Sequence, residues 1–280
     1  MYLVTGATGN VGSQVVEQLL TDGRKVRVFT RDASRVAHWG NRVEVALGDL
    51  TSPETFAKAA SGVEGIFLMN GALDGAIFRR LISSAKSQGN PRVVFLSTLF
   101  AGIDSSPIGQ LHKDKEDAIR ASGLPGRFIR AGAFMTNAYQ WLGSIRAEGV
   151  VYNPMGAGKT APVAAEDLAA IAVHALTDAS LTPEVFEVTG GELLTVPQQV
   201  EILAKATGKP IRSVDVPAEA AVQGMIGSGT PPPVAAAVGQ SFELVRDGQM
   251  AFVKDTIRQV TGRPPKTFEA WATEHAARFA

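Results

Sequence analysis

The sequence predicts an α/β protein with a Rossmann-type, doubly wound parallel sheet and a smaller, mixed α/β C-terminal lobe. Three observations predict this fold. Short apolar runs alternate with helix patterns through the first half of the chain, as in parallel sheets that are covered on both faces. A glycine-rich turn joins the first of these runs to the first helix. The alternation is less regular in the second half, which indicates a separate lobe.

The strands are predicted from short, nearly continuous apolar runs such as residues 65–69, which turn residues bound on both sides. The predicted strands of the first half span residues 1–5, 25–30, 42–47, 65–69, 92–97 and 126–130. Ligands of open parallel sheets bind beyond the carboxyl ends of the strands. We therefore expect the functional site in the loops that follow these strands.

Between the strands, apolar residues recur three or four positions apart, which is the period of a helix with one buried face. In the first helix, Val15, Val16 and Leu19 share such a face. Ser52 suits an N-cap and Pro53 the first helical position. The predicted helices of this half span residues 12–21, 53–60, 74–88 and 113–122.

The second half contains fewer regular patterns. They predict helices over 166–177, 196–207 and 268–279 and strands over 184–188 and 211–216. The stretch GSGTPPP at 227–233 predicts a loop or a lid. The chain as a whole predicts a sheet domain over 1–150, to which 161–190 returns, and a smaller substrate-binding lobe over 191–280.

The composition excludes several classes of function. The 280 residues include no cysteine, which excludes disulfides, thiolate metal sites and a cysteine nucleophile. The 27 basic and 27 acidic residues balance, so no general attraction to nucleic acid is expected. The four histidines show no metal-ligand spacing, and no apolar run is long enough to span a membrane. We therefore expect a cytoplasmic protein with no metal and with no nucleic-acid or membrane partner.

The glycine-rich turn has the spacing of a dinucleotide-binding motif. Gly6 suits the tight turn, Gly9 the close approach of backbone to a pyrophosphate, and Gly12 the close packing of helix on strand. The helix N-terminus then faces the anion with its N–H groups and its positive dipole end. The predicted phosphate-binding residues are Gly6, Thr8, Gly9, Asn10, Val11 and Gly12. The alternative is a purely structural turn.

The end of the second strand distinguishes NADP from NAD. A carboxylate there binds the ribose hydroxyls of NAD, whereas an arginine accommodates the 2′-phosphate of NADP. Arg31 stands at the strand end and Arg35 adds charge, which favours NADP(H) over NAD(H). Asp32 lies 20 positions after Gly12, a spacing that points to NAD, but it also suits the cap of the following turn.

Five segments together resemble the NmrA-like branch of the atypical short-chain dehydrogenases/reductases over nearly the whole chain. They are VTGATGNVG at 4–12, VFTRDASR at 28–35, GDL at 48–50, VFLST at 94–98 and TGRPPKTFEAWATEHAARF at 261–279. This family includes NADPH-dependent quinone and dye reductases, isoflavone-reductase-like enzymes and redox-sensing proteins that bind the dinucleotide without turning over a substrate. The resemblance implies that Asp49 and Leu50 flank the adenine. The alternative for Asp49 is a turn residue before Thr51.

Two further pairs of residues follow predicted strands and are predicted to contact the cofactor. Asn70 and Gly71 follow the fourth strand, where a small residue lets the backbone pass the second ribose. Ser97 and Thr98 follow the fifth strand, near the expected position of the nicotinamide.

The proton donor of the usual short-chain dehydrogenases, the tyrosine of Tyr-x-x-x-Lys, is missing. The three tyrosines are Tyr2, Tyr139 and Tyr152, and none has a lysine four positions later. By resemblance to the quinone and dye reductases, His112 occupies the catalytic position. It would donate a hydrogen bond or, with an ordinary pKa near 6.5, a proton. The alternative is a helix-start histidine that caps or packs, and Lys113 and Lys115 are interpreted as solvated helix charges.

The segment after the sixth strand is where a substrate is expected. Phe134, Asn137, Tyr139 and Trp141 are the predicted substrate-binding residues, since aromatic rings stack on a flat acceptor. The alternative is that these aromatic residues pack the two lobes together. The sequence thus predicts a flavin-free, NADPH-dependent reductase of a quinone-like or conjugated small molecule. The alternative is a non-catalytic regulator that senses NADP(H). The sequence is also compatible with a homodimer.

Overall fold

The computed structural model describes residues 1–69 and 74–279, and the chain divides into two compact units. Unit 1 comprises Met1–Ile103, Gly109–Ala131 and Ala165–Glu187, and unit 2 comprises Asp104–Ile108, Gly132–Ala164 and Val188–Ala280. After Ala131 the chain passes into unit 2, and it returns to unit 1 at Ala165. The sequence predicts the first boundary near residue 150 and the return at residue 161.

Unit 1 is built on a seven-stranded parallel sheet in the order β3-β2-β1-β4-β5-β6-β9. Its strands are β1 Tyr2–Thr5, β2 Val26–Thr30, β3 Val43–Leu47, β4 Gly65–Met69, β5 Arg92–Thr98, β6 Gly126–Ala131 and β9 Val185–Val188, whose last residue belongs to unit 2. The central strand β1 lies between β2 and β4, so that Leu3 pairs with both Arg27 and Ile66. The predicted Rossmann-type parallel sheet is confirmed.

Helices cover this sheet and bury its apolar residues. They are α1 Asn10–Thr21, α2 Pro53–Ala60, α3 Gly75–Ser87, α4 Pro107–Ala121 and α6 Ala165–Thr177. Helix α1 packs against α6, and α2 packs against α3. As predicted, Ser52 caps α2. Two 3₁₀ segments, Ala33–Arg42 and Leu99–Gly102, follow β2 and β5.

Helix α4 begins at Pro107 rather than at the predicted residue 113. The sequence misses its first turns because Pro107 and Gly109 stand close together, and glycine disfavours a helix interior. A tertiary contact explains the glycine. A Cβ at position 109 would come within 1.9 Å of the Phe100 carbonyl oxygen, so only glycine lets α4 pack this closely on Leu99–Gly102.

Unit 2 contains two small sheets and several helices that the sequence does not predict. Strands β7 and β11 pair in parallel, and β8 and β10 pair antiparallel. The elements are α5 Leu142–Glu148, β7 Val150–Asn153, β8 Lys159–Thr160, β10 Leu194–Thr195, α7 Val196–Thr207, β11 Arg212–Asp215, α8 Ala218–Gly227, α9 Pro232–Arg246, α10 Thr256–Thr261 and α11 Phe268–His275, with 3₁₀ segments at Met135–Trp141 and Ala276–Arg278. Its core combines aliphatic residues with the fully buried aromatic residues Phe268, Trp271 and Phe279.

The predicted loop at 227–233 is a short turn between two helices. Helix α8 ends at Gly227, and α9 already begins at Pro232. Proline is favourable in the first turn of a helix, so the proline run starts α9 instead of extending the loop. The two helices approach closely at Gly239, where a Cβ would lie 2.5 Å from a Val222 methyl carbon. In the part of the chain that the structure describes, no helix is long and apolar enough to cross a membrane.

We predict that Thr5→Val destabilises the protein by about 1–2 kcal/mol, because a buried hydroxyl is lost. The Thr5 Oγ1 donates to the Phe67 carbonyl oxygen at 3.0 Å and accepts from the Met69 amide at 3.0 Å, which joins β1 to β4. Denaturant unfolding measures the change. Thr5→Ser keeps the hydroxyl and is the control; equal stability of the valine and serine variants would contradict the prediction.

Candidate functional site

The turn between β1 and α1 depends on residues without a Cβ. Gly6 has a left-handed backbone (φ +64°), and its carbonyl oxygen accepts from the Gly9 amide at 2.9 Å. A Cβ at position 12 would come within 2.2 Å of that same Gly6 oxygen, and one at position 6 within 2.0 Å of the Met69 sulfur. The turn therefore holds the start of α1 directly against the end of β1.

The N-terminus of α1 is suited to bind an anion. Gly9 is the N-cap, and among the described residues no side chain caps this end and no acidic residue lies in its first turn. The predicted residues Asn10, Val11 and Gly12 form that first turn. Their backbone N–H groups and the positive helix dipole end favour a phosphate here.

A cleft of about 530 Å³ opens in unit 1 beside the carboxyl ends of β1, β2 and β3. It is lined by Thr5, Gly6, Ala7, Thr8, Phe29, Thr30, Arg31, Asp32, Arg35, Gly48, Asp49, Leu50, Thr51 and Met69. The structure thus brings together Gly6, Thr8, Arg31, Asp49 and Leu50, which the sequence predicts as cofactor-binding residues. The predicted contacts at Asn70 and Gly71 lie outside the described residues.

The charged groups of the cleft are arranged around Arg31. Its side chain is 77% exposed, and its Nη1 lies 3.8 Å from the Asp49 Oδ2. The Asp32 carboxylate instead accepts from the Ser34 amide at 2.9 Å and from the Ser34 hydroxyl at 2.7 Å, and these bonds lower the pKa of Asp32. The helix-cap alternative for Asp32 is therefore realised, and Arg31 is left exposed to a ligand.

Asp49 also makes the contacts of a turn residue. Its Oδ1 accepts from the Thr51 amide at 2.8 Å and from the Thr51 hydroxyl at 2.7 Å. These hydrogen bonds lower the pKa of the Asp49 carboxyl, with a smaller contribution from Arg31. Asp49 lines the cleft in this arrangement, and its contact with an adenine stays a prediction.

Ser97 and Thr98 make hydrogen bonds within unit 1. The Thr98 Oγ1 accepts from the Phe100 amide at 3.3 Å and so caps the 3₁₀ segment Leu99–Gly102. The Ser97 Oγ donates to the Glu116 Oε1 at 2.6 Å. A contact of Ser97 and Thr98 with the nicotinamide stays a prediction.

His112 lies half-buried on α4, with its ring centroid 5.9 Å from that of Phe95. Burial and, to a smaller extent, the nearby Lys115 charge lower the pKa of His112 to about 4, and the Glu116 charge opposes the shift. At neutral pH the side chain is thus a neutral imidazole, which donates a hydrogen bond through one ring N–H. The sequence predicts an ordinary pKa for His112, and desolvation is the physical reason for the difference.

The predicted surface position of Lys115 is wrong. Lys115 is 5% exposed, and its ammonium lies 6.0 Å from the centre of the Phe78 ring. Burial lowers the pKa of this ammonium. Lys113, by contrast, stays at the surface, where it donates to Asp117 at 2.7 Å.

The predicted substrate-binding aromatic residues pack inside unit 2. The Tyr139 ring lies 5.4 Å from Trp271 and 5.9 Å from Phe279, and the half-buried Trp141 packs against the same core. Phe134, also half-buried, forms a bridge with Val163, whereas Asn137 is exposed. Tyr139 and Trp141 therefore pack within unit 2, whereas the alternative in the sequence analysis was packing between the two lobes. Substrate binding by Phe134, Asn137, Tyr139 and Trp141 stays a prediction.

Across residues 1–69 and 74–279, no group of three or more histidine or acidic side chains is arranged to hold a metal ion.

Residues 2–272 match the model of the NmrA-like family. The chain belongs to the NmrA-like family. The NAD(P)H azoreductase of Xenophilus azovorans is 35% identical over 283 residues, which cover 100% of this chain and 99% of the relative. Quinone oxidoreductase 2 of Escherichia coli is 25% identical over 275 residues, which cover 95% and 96% of the two chains. The family resemblance that the sequence indicates is confirmed.

The structure of this NmrA-like chain also resembles that of the Escherichia coli NADPH-dependent quinone oxidoreductase 2 in complex with NADPH. The TM-score is 0.85, the sequence identity is 22%, and the match covers 98% of this chain and 99% of the other. At this identity the comparison shows a shared fold.

Several residues of the site are not singled out by the sequence. Phe29 and Met69 line the cleft, and each lies at or next to the carboxyl end of a strand. The predicted strand ends are the signal that could have identified them. Glu116 and Arg130 form a bidentate ion pair with donor–acceptor distances of 2.9 and 2.7 Å. Glu116 stands in the charged run Lys113–Asp117, and only its burial distinguishes it from a solvated helix residue.

We predict that the free energy of unfolding falls as the pH is lowered from about 6.5 to about 4, and that His112→Gln reduces this fall. The pKa of His112 is about 4 in the folded chain. The unfolded chain therefore takes up a proton in this window that the folded chain refuses. The difference between wild type and variant should approach 2–3 kcal/mol, or about 1.36 kcal/mol for each unit of pKa shift.

Urea unfolding at several pH values measures this difference. His38→Gln removes an exposed imidazole and is the matched control. A His112→Gln variant whose stability falls as steeply as that of the wild type would disprove the buried, neutral state of His112.

Proposed function

We propose that this NmrA-like protein is an NADPH-dependent reductase that delivers hydride to a quinone-like or conjugated small molecule without a flavin. The observation that carries the proposal is the cleft of unit 1, where two arginines and the first residues of the glycine turn, Gly6 and Thr8, meet beside three strand ends. The relatives support the reaction class, because the 35% identical one is named an NAD(P)H azoreductase.

The residues of the cleft fit a phosphorylated dinucleotide. The positions of Gly6 and Gly12 have no room for a Cβ, and the α1 N-terminus offers backbone N–H groups to a pyrophosphate. Arg31 and Arg35 line the same cleft and would bind the 2′-phosphate. The Oδ1 of Asp32 accepts two hydrogen bonds from Ser34, which gives this carboxylate a capping role, whereas NAD-specific sites use a carboxylate to bind the ribose hydroxyls. The preference for NADP(H) over NAD(H) rests on these contacts.

The reduced nicotinamide, when bound, supplies the hydride, and the acceptor anion that results takes a proton from water. Three tyrosines are present and none belongs to a Tyr-x-x-x-Lys motif, so we expect acceptors whose reduced anion is stable without a strong acid. The neutral imidazole of His112 would donate its N–H to an acceptor oxygen or nitrogen. Phe134, Asn137, Tyr139 and Trp141 would shape the acceptor site from the segment after β6.

Turnover assays test the proposal. Purified protein is mixed with NADPH and, in turn, with a benzoquinone, a naphthoquinone, an azo dye and a triphenylmethane dye, while the absorbance of the reduced nicotinamide is followed. We expect oxidation of NADPH with at least one of these acceptors. A thermal shift with NADPH but no turnover with any acceptor would reject the reductase and favour the NADP(H)-sensing regulator.

We predict that Arg31→Ala weakens NADPH binding about 10- to 100-fold, the loss expected for a charge-assisted phosphate contact. Binding of NADH, which lacks the 2′-phosphate, should change by less than about 3-fold. Calorimetric titration with each cofactor measures both constants. Arg24→Ala removes an exposed arginine outside the cleft and is the control. An equal loss for the two cofactors would show that Arg31 does not meet the phosphate.

A further inference from the structure

The inner face of α4 carries ionisable residues where a helix that packs on a sheet normally carries apolar ones. Its buried positions are Gly109, Lys115, Glu116 and Ile119, and the half-buried His112 lies on the same face. Burying charges is expensive, and well-packed apolar residues usually stabilise a fold at least as well. The proposed reaction uses His112 but leaves the burial of Glu116 without an explanation.

Glu116 joins α4 to the carboxyl ends of two neighbouring strands. Ser97 of β5 and Arg130 of β6 are paired directly in the sheet register. Ser97 donates to the Glu116 Oε1 at 2.6 Å, and Arg130 donates from Nε to Oε1 at 2.9 Å and from Nη2 to Oε2 at 2.7 Å. Glu116 itself is fully buried, and the Arg130 side chain is 15% exposed. Both carboxylate oxygens are therefore held by groups that belong to the sheet, and the Oε2 also lies 3.6 Å from the Arg120 Nη1 of α4 itself.

A second contact holds the same helix at its start. The Cα of Gly109 packs against the Phe100 carbonyl so closely that a Cβ would lie 1.9 Å from the oxygen. His112 stands three residues after Gly109 and four residues before Glu116. Residues at these spacings lie on one helix face, so the two contacts enclose His112 along the helix and fix its distance from the strand ends.

We propose that Glu116 is a positioning residue, which acts through His112 by clamping α4 onto Ser97 and Arg130. The proposal rests on the proposed function, in which His112 contacts the acceptor. The proposal also assigns different hydrogen-bonding roles to Ser97 and His112. Because the Ser97 hydroxyl already donates its proton to Glu116, Ser97 offers a ligand only acceptor lone pairs. The N–H donor for an acceptor oxygen is then His112.

A double-mutant cycle tests the proposal. Glu116→Gln keeps the shape of the side chain but removes the charge that holds Arg130. We expect it to lower kcat about 10-fold, as misplacement of a catalytic group does, while the KM for NADPH changes by less than about 2-fold. In a His112→Ala background, Glu116→Gln should lower kcat no further, because residues that act through one another are not additive.

Asp114→Asn is the matched control for this cycle. It removes a carboxylate from an exposed position of α4, where the Asp114 Oδ1 accepts from the Gln110 side chain at 2.6 Å. Its kcat should stay near that of the wild type. An equal loss of kcat from Glu116→Gln in the wild-type and His112→Ala backgrounds would overturn the proposal, as would a His112→Ala variant with unchanged kcat.

A spectroscopic measurement separates this proposal from the proposed function. NMR of the histidine rings reports the tautomer and the pKa of His112 without any acceptor, and His112→Ala assigns its signals. Glu116→Gln should shift these signals and Asp114→Asn should not. Unshifted signals in Glu116→Gln would reject the positioning role even where no acceptor is reduced. If Glu116→Gln does not fold, Arg130→Lys is used, since lysine keeps the charge but loses the bidentate geometry.

Discussion

The contact between the backbone of Gly12 and the carbonyl of Gly6 is the constraint on which the dinucleotide site depends. A Cβ at position 12 would lie 2.2 Å from that oxygen, so any other residue would force α1 away from β1. The contact sets where the N-terminus of α1 points, and the other elements of the cleft are arranged around that point. The Thr5 hydroxyl, one residue before Gly6, stabilises this end of β1 by joining it to β4. A chain with equal numbers of basic and acidic residues can thus bind an anion through local geometry and two arginines.

The same device appears a second time in unit 1, at α4. Gly109 lets α4 approach the backbone at Phe100 as Gly12 lets α1 approach Gly6. The first contact places the N-terminus of α1, and the second places the part of α4 that carries His112. A single close contact at a glycine fixes the position of a helix at one residue only and does not fix its orientation. The Glu116 ion pair with Arg130 is a second contact between α4 and the sheet, and it accounts for the burial of the Glu116 charge.

Much of unit 1 is predictable because its signals are local. The strands β4 and β5, the helix α2 and the glycine turn follow from period and from turn residues that stand next to one another in the chain. Unit 2 is harder to predict, because its helices α8 and α9 combine small, apolar and proline residues without a clear period. The proline run at 231–233 illustrates the difficulty, because the same residues suit a loop and the first turn of a helix, and in the structure they begin α9.

The sequence by itself determined the parallel α/β sheet, the NmrA-like family and the position of the glycine turn, because each depends on short segments that are read directly from the chain. Only the tertiary structure decided which charges are buried. Lys113 and Lys115 stand in one charged run, yet the first is at the surface and the second is buried. Glu116 meets partners from β5 and β6, and Tyr139 meets Trp271 of α11. Burial and pairing are properties of residues that are distant in sequence, and they appear only when the helices pack.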